Sequence, residues 1–184
     1  MTPLLIAALL AAPKIPYLDE NKAPQDLVQA IKARRGGKLL NLDRILLYSP
    51  NYAQGWNAMF GAIRNKLSLP GKLRELPIMA IGVLNRAEYE WAQHEPEFLK
   101  AGGTKEQLAA IRKLDPTPFD PAERAALQLT IEMTRDVQVK QATLDAVRKL
   151  LPDDQVVELI GTIAGYNMVS RFLLATGVDL EPTP

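Results

Sequence analysis

No stretch of the sequence alternates apolar and polar residues for long enough to make a half-buried strand. What recurs is helical spacing, cut into lengths by proline and glycine. Asp26 to Arg35 carries Leu27, Val28 and Ile31 at that spacing and stops at Gly36-Gly37, as helices do at a left-handed glycine. Asn41 to Tyr48 repeats Leu42, Ile45 and Leu46 before Ser49-Pro50 breaks it. Tyr52 to Leu67 follows with Trp56, Met59, Phe60 and Ile63. After the turn Leu69-Pro70-Gly71, Lys72 to Asn85 is mostly apolar, the pattern of a buried helix, with Pro77 in its first turns or at a kink. Arg86 to Lys100 closes at Gly102-Gly103. Thr104 with Gln107 three residues on has capping-box register, and Asp120-Pro121 opens another helix with proline in its first turn. Thr143 to Leu151 and Asp154 to Thr176 are the last two helices, the second ended by Gly177. The expectation is an all-α chain of about eight or nine helices, paired as antiparallel hairpins.

At 184 residues and 47% hydrophobic, the chain suits one domain with a packed core. Residues 1–14 read as an apolar arm and 15–184 as a single helical domain. The run Leu4 to Ala12 is too short to span a bilayer and has no basic residue before it, so the arm is read as retained and the protein as cytoplasmic, with an export signal as the alternative. Pro13 to Pro24 is an extended, turn-rich lead-in. Lys32, Arg34, Arg35 and Lys38 form a basic cluster without interleaved aromatics, read as a solvated helix end and not a nucleic-acid patch. The net charge of +1 likewise argues against nucleic-acid or membrane partners. Arg74-Glu75 and Glu123-Arg124, each opening a long helix, form a weak internal echo of a duplicated architecture.

With no cysteine and one histidine, these residues can hold no disulfide, thiolate nucleophile or multi-histidine metal centre. Chemistry falls to carboxylates, one imidazole, tyrosines and arginines. The densest candidate is Glu88 to Glu95, where Glu90 and His94 stand four apart and share a helix face. If Asn85-Arg86-Ala87 turns a hairpin, Glu75 and His94 lie at similar depth, roughly 12–16 Å from the turn at 1.5 Å per residue. Two carboxylates and an imidazole then converge among Tyr89, Trp91 and Met79, a grouping suited to proton transfer. A solvated carboxylate–histidine pair has the same spacing. No glycine-rich phosphate loop follows a strand, so no organic cofactor is implied, and no metal site is assigned.

The core motif 72–102, from Leu73 to Gly102 above all, resembles the carboxymuconolactone decarboxylase family, which includes the alkylhydroperoxidase D proteins. The matching residues are Arg74-Glu75, Asn85, Tyr89-Glu90-Trp91 and His94-Glu95-Pro96, with Gly165-Tyr166-Asn167, Arg171-Phe172 and Gly177 similar to the family's closing helix. The resemblance implies an alkylhydroperoxidase D-like fold, assembly as a homotrimer or hexamer, and a site at Glu75, Glu90 and His94 near subunit contacts. Alkylhydroperoxidase D members carry a Cys-x-x-Cys pair where this chain has Ala87 and Glu90. Thiol peroxide chemistry is therefore not available, and a peroxidase label would be inherited. The decarboxylase branch has glutamate at the second position, as here, but commonly keeps cysteine where Ala87 stands.

The reading is an acid/base enzyme acting on a small lactone or carbonyl acid. His94 is expected as proton donor or shuttle, Glu90 as its orienting and tuning partner and Glu75 as a second acid/base or water-holding group. Arg171, Arg74 and Arg86 are the candidates for a substrate carboxylate, Arg171 foremost, and Tyr89 and Tyr166 for an oxyanion. A non-catalytic oligomeric scaffold, or a small-molecule binder using the same cleft, is the alternative. Ala87 is the best evidence for it.

Overall fold

The computed structural model describes residues 13–181. The apolar run Leu4 to Ala12 lies outside them. Among the described residues nine α-helices follow one another: α1 Gln25–Arg34, α2 Asn41–Leu46, α3 Pro50–Asn65, α4 Gly71–Leu84, α5 Glu88–Lys100, α6 Lys105–Ile111, α7 Pro121–Arg135, α8 Gln141–Arg148 and α9 Asp153–Thr176. There is no strand among the described residues, and no helix is long and apolar enough to cross a membrane.

The stops work as their chemistry requires. Gly36, Gly37, Gly102 and Gly177 all have positive φ. Thr104 and Asp120 each accept the N–H three residues on, while Gln107 and Glu123 reach back, so both capping boxes are closed. The lead-in contains a turn, as its composition suggests. Asp19 caps a single 3-10 turn at Glu20–Lys22.

Helix α4 is the axle. It packs against α5, α7 and α9, and Leu73, Ile78 and Ile81 face one apolar cluster while Leu76, Met79 and Ala80 face a second. A helix enclosed on all sides has no polar stripe to keep, which is why its sequence is a nearly continuous apolar run. Pro77 sits in the interior of α4 and the helix continues past it. The α4–α5 hairpin turns through Asn85-Arg86-Ala87. Arg86 takes φ 58°, and the Ala87 N–H reaches back to Gly82 O at 2.8 Å.

Beyond α9 the chain doubles back over α2. The Asn41 amide donates to Asp179 O, the Asn41 N–H donates to Glu181, and the Asp179 N–H donates to Tyr17. This return brings residues 180–181 beside the face shared by α1, α3 and α5.

Candidate functional site

Glu75 from α4 and His94 from α5 meet where the hairpin geometry puts them, with His94 Nδ1 2.7 Å from Glu75 Oε2. Glu75 is fully buried. Its other oxygen accepts from Arg64 Nη1 at 2.7 Å and Arg74 Nε at 3.1 Å. Arg64, from the end of α3, also reaches Glu97 at 3.1 Å. Burial pushes the Glu75 carboxyl up. The His94 contact and the two guanidinium groups together outweigh it and hold the carboxyl below its usual range. An ionised Glu75 accepts only, and Arg64 donates only. The Nδ1 position, 3.2 Å from Arg64 Nη1, therefore carries the proton it gives to Glu75. Nε2 is left facing the other way.

On that side lies Glu90, one turn before His94 on α5, with Oε2 3.5 Å from Nε2. Oε2 is buried and has no hydrogen-bond partner among the described residues. Desolvation raises the Glu90 carboxyl above its usual range, against the opposing pull of His94, Arg35 and Arg64. The two glutamates thus differ in kind. One is an ionised group bonded to three neighbours, the other a carboxyl whose proton is retained to higher pH. Glu75, not Glu90, makes the short bond to His94.

Glu90 and His94 open into a cavity of about 610 Å³, within the size range of small-molecule sites. Its apolar wall is Leu42, Trp56, Phe60 and Val169, with the Tyr166 ring edge-on to His94 at 5.0 Å. Trp91 and Met79, expected here, belong instead to the second apolar cluster. Trp91 is three positions before His94, where its ring turns away, bonds Glu95 and lies under Arg112. Glu75 sits behind His94 and does not line the cavity.

Both candidate tyrosines line it. The Tyr89 hydroxyl donates to Glu181 at 2.7 Å. Burial raises the Tyr166 hydroxyl well above its ordinary value, so it stays a neutral donor. None of the three candidate arginines faces the cavity. Arg171 is exposed and donates to Asn167 on its own helix at 2.9 Å. Arg74 is bound to Glu75, and Arg86 is exposed on the hairpin turn.

The cations that do line the cavity are Arg34, Arg35, Lys38 and Arg64. Three of them belong to the basic cluster read as solvated; Lys38 is exposed, and the reading fails for Arg34 and Arg35 because α2 folds back against the end of α1. Asp43 of α2 is almost completely buried. It accepts the Leu40 N–H through one oxygen and Arg35 Nη2 at 3.0 Å through the other. Arg34 is held by Asn57 of α3, and its side chain is only 10% exposed. Burial, and then the neighbouring Arg35 charge, lower the Arg34 guanidinium to about 10, so it is still a cation at neutral pH. One signal was available for Arg64. It stands four residues after Phe60 and eight after Trp56, on the buried stripe of α3, where a charge needs a partner.

Residues 50–132 match the model of the carboxymuconolactone decarboxylase family. Over that stretch the chain is similar to that family, and it has no cysteine. The matched stretch runs from α3 into α7 and contains Arg64, Glu75, Glu90 and His94, whereas Arg34 and Arg35 precede it. No curated protein matches the sequence. Among solved structures, an uncharacterized peroxidase-related protein with an alkylhydroperoxidase AhpD core, from Ralstonia eutropha JMP134, superposes with a TM-score of 0.80 at 17% identity over 92% of each chain. The debrominase Bmp8, solved with 2,3,4-tribromopyrrole as a cysteine-to-alanine variant, gives 0.75 at 18% identity over 90% of each chain. A peroxidase-related protein from Silicibacter sp. TM1040 gives 0.74 at 16% identity, covering 93% of this chain and 90% of that one. At such identities the likeness shows the fold, and the fold does not choose the reaction.

Proposed function

We propose that this protein is a cofactor-independent acid/base enzyme acting on a small carbonyl or lactone acid, by proton transfer or by decarboxylation with a shift of the double bond. The observation that carries this reading is the pairing of Glu90 and His94 on a cavity wall. Glu90 is a buried carboxyl with an oxygen unbonded among the described residues, and it is aimed at an imidazole nitrogen whose tautomer is fixed from behind by Glu75.

In decarboxylation, the electrons of the breaking carbon–carbon bond pass into the conjugated carbonyl and form an enolate. Tyr166 is the donor for its oxygen. Glu90 then delivers its proton to carbon, and His94 Nε2 relays the replacement from solvent. In simple proton transfer the same pair runs in reverse, His94 Nε2 taking the proton and Glu75 stabilising the imidazolium. The 184 residues contain no thiol, so disulfide-exchange reduction of peroxides has no nucleophile in them. Assembly as a homotrimer or hexamer belongs to this reading. Exposed Tyr48, Tyr52 and Met59 supply apolar surface for it, and sedimentation measures it.

The competing reading is a scaffold or small-molecule binder, and Ala87 favours it. This residue is buried at the α5 N-terminus, where a related protein would carry a thiol, and it does not line the cavity. The deciding experiment incubates γ-lactone and γ-keto acids with the protein in deuterated buffer. Exchange at carbon is followed by NMR and carbon dioxide release by pressure. The enzyme reading expects exchange or release that disappears in Glu90→Gln and His94→Ala. A folded, equally assembled His94→Ala protein with unchanged behaviour establishes the scaffold or binder.

A further inference from the structure

Asp43 gathers two guanidinium groups around one carboxylate and leaves both with unused donors. Arg35 Nη2 bonds it at 3.0 Å, while Arg34 Nη2 is 3.7 Å away, beyond hydrogen-bond reach. Among the described residues, Arg34 Nη2 and Arg35 Nε are buried nitrogens without a hydrogen-bond partner. Both side chains line the same cavity as Glu90. Two cations share one buried anion, and Lys38, Glu97 and Glu181 line the same cavity. A buried, uncompensated N–H of this kind costs free energy unless something accepts from it.

Water can satisfy one such donor. A pair on adjacent guanidinium groups, set in a partly apolar pocket, suits two acceptor oxygens on one planar group. The other carboxylates lining the cavity, Glu97 and Glu181, do not take them, and Glu97 pairs with Arg64. Glu181 Oε1 is occupied by the Tyr89 hydroxyl and the Asn41 N–H.

We infer that Arg34 and Arg35 form a carboxylate-binding site, their guanidinium groups donating to the two oxygens of a substrate's carboxylate and holding its other end toward Glu90 and His94. The assignment rests on the acid/base reading only for what happens at that other end. It moves the anion anchor from the closing helix to α1, outside the stretch that matches the family model. The ligand class is a small carboxylate with a neutral reactive group at the far side of the cavity. A phosphate-bearing ligand is the rival source of an oxyanion.

The test uses levulinate, a γ-keto carboxylate, against its uncharged methyl ester and against inorganic phosphate. Binding is read by calorimetry and by the Arg35 Nε–H resonance of the ¹⁵N-labelled protein. Levulinate is expected to shift that resonance and to bind about tenfold or more tighter than the ester, the worth of one charge-assisted hydrogen bond. Arg35→Lys keeps a cation for Asp43 but loses the fork, and it should weaken levulinate about tenfold while leaving the ester unchanged. Arg34→Lys provides the same reading should Arg35→Lys fail to fold.

Equal affinity for acid and ester, no levulinate binding up to millimolar concentration, or an unmoved Arg35 resonance overturns the site. Tighter binding of phosphate through the same arginines overturns the carboxylate assignment. Glu90→Gln separates the two proposals. It should bind levulinate as the native protein does yet exchange no carbon-bound proton. If levulinate binds as expected and Glu90→Gln changes no reaction, the anion site stands and the catalytic reading falls.

Discussion

Glu90→Gln should stabilise the protein at the pH where it removes the activity. The native side chain is buried, and its Oε2 has no hydrogen-bond partner among the described residues. Desolvation holds its folded-state pKa above the ordinary 4.5. A raised folded value means that the native state binds the proton more tightly than the unfolded chain. The favourable contribution is therefore complete below pH 4.5 and is lost as pH rises through the folded value.

Glutamine has nearly the same shape, carries no charge at any pH, and can donate its amide toward His94 Nε2. The difference between the two proteins should be near zero at pH 4.5 and grow with pH. By pH 8 it should favour the variant by roughly 1–3 kcal/mol, the cost of a buried group left unsatisfied. For a chain of this size that is a melting temperature higher by roughly 2–10 °C. Thermal unfolding followed by circular dichroism at pH 4.5, 6 and 8 measures it. A variant that is less stable than the native protein at pH 8, or a gap that does not change with pH, would show that Glu90 is ionised and adequately paired. The general-acid role would then be lost.

Glu75→Gln should act in the opposite sense. It removes a carboxylate bonded to His94, Arg64 and Arg74, so a loss of about 3–5 kcal/mol is expected at neutral pH. Because the folded pKa of Glu75 is lowered, its contribution is present above the ordinary 4.5 and fades as pH falls through the folded value; urea titrations at pH 7 and pH 3.5 should show the gap shrinking. Gly103→Ala should cost roughly 1–3 kcal/mol, since a Cβ there runs into the fully buried ring of Phe98. Gly161→Ala, at an exposed position of α9 with nothing near the new carbon, should raise stability by about 0.5–1 kcal/mol, and paired melting curves compare the two. Asp43→Asn should weaken levulinate binding by disordering the arginine pair while leaving the His94–Glu75 bond intact, which the His94 ring resonances report.

The helices were readable because their signals are local. Gly36-Gly37, Gly102-Gly103 and Gly177 mark ends through backbone freedom, Thr104 and Asp120 mark starts through their side-chain oxygens, and the apolar run of α4 announces a helix without a solvent face. The meeting of Glu75 with His94 was readable for a related reason. A single tight turn fixes the register of a hairpin, so depth along two helices can be counted from it. The Glu90–His94 contact lies within one helix and needed only the four-residue spacing.

What surrounds that hairpin was not written in any window of sequence. Arg34 and Arg35 look like the wet end of a helix until Asp43, eight residues beyond Arg35, is buried against them, and Arg171 looks like a substrate anchor until its own helix claims it. Glu181 reaches the cavity only because the chain turns back across α2. Local backbone chemistry determined where the helices begin and stop and which two carboxylates could find the imidazole. Which carboxylate keeps its proton, and which cations face the cavity, are matters of burial and of charges far apart in the chain, and only the folded packing supplies those.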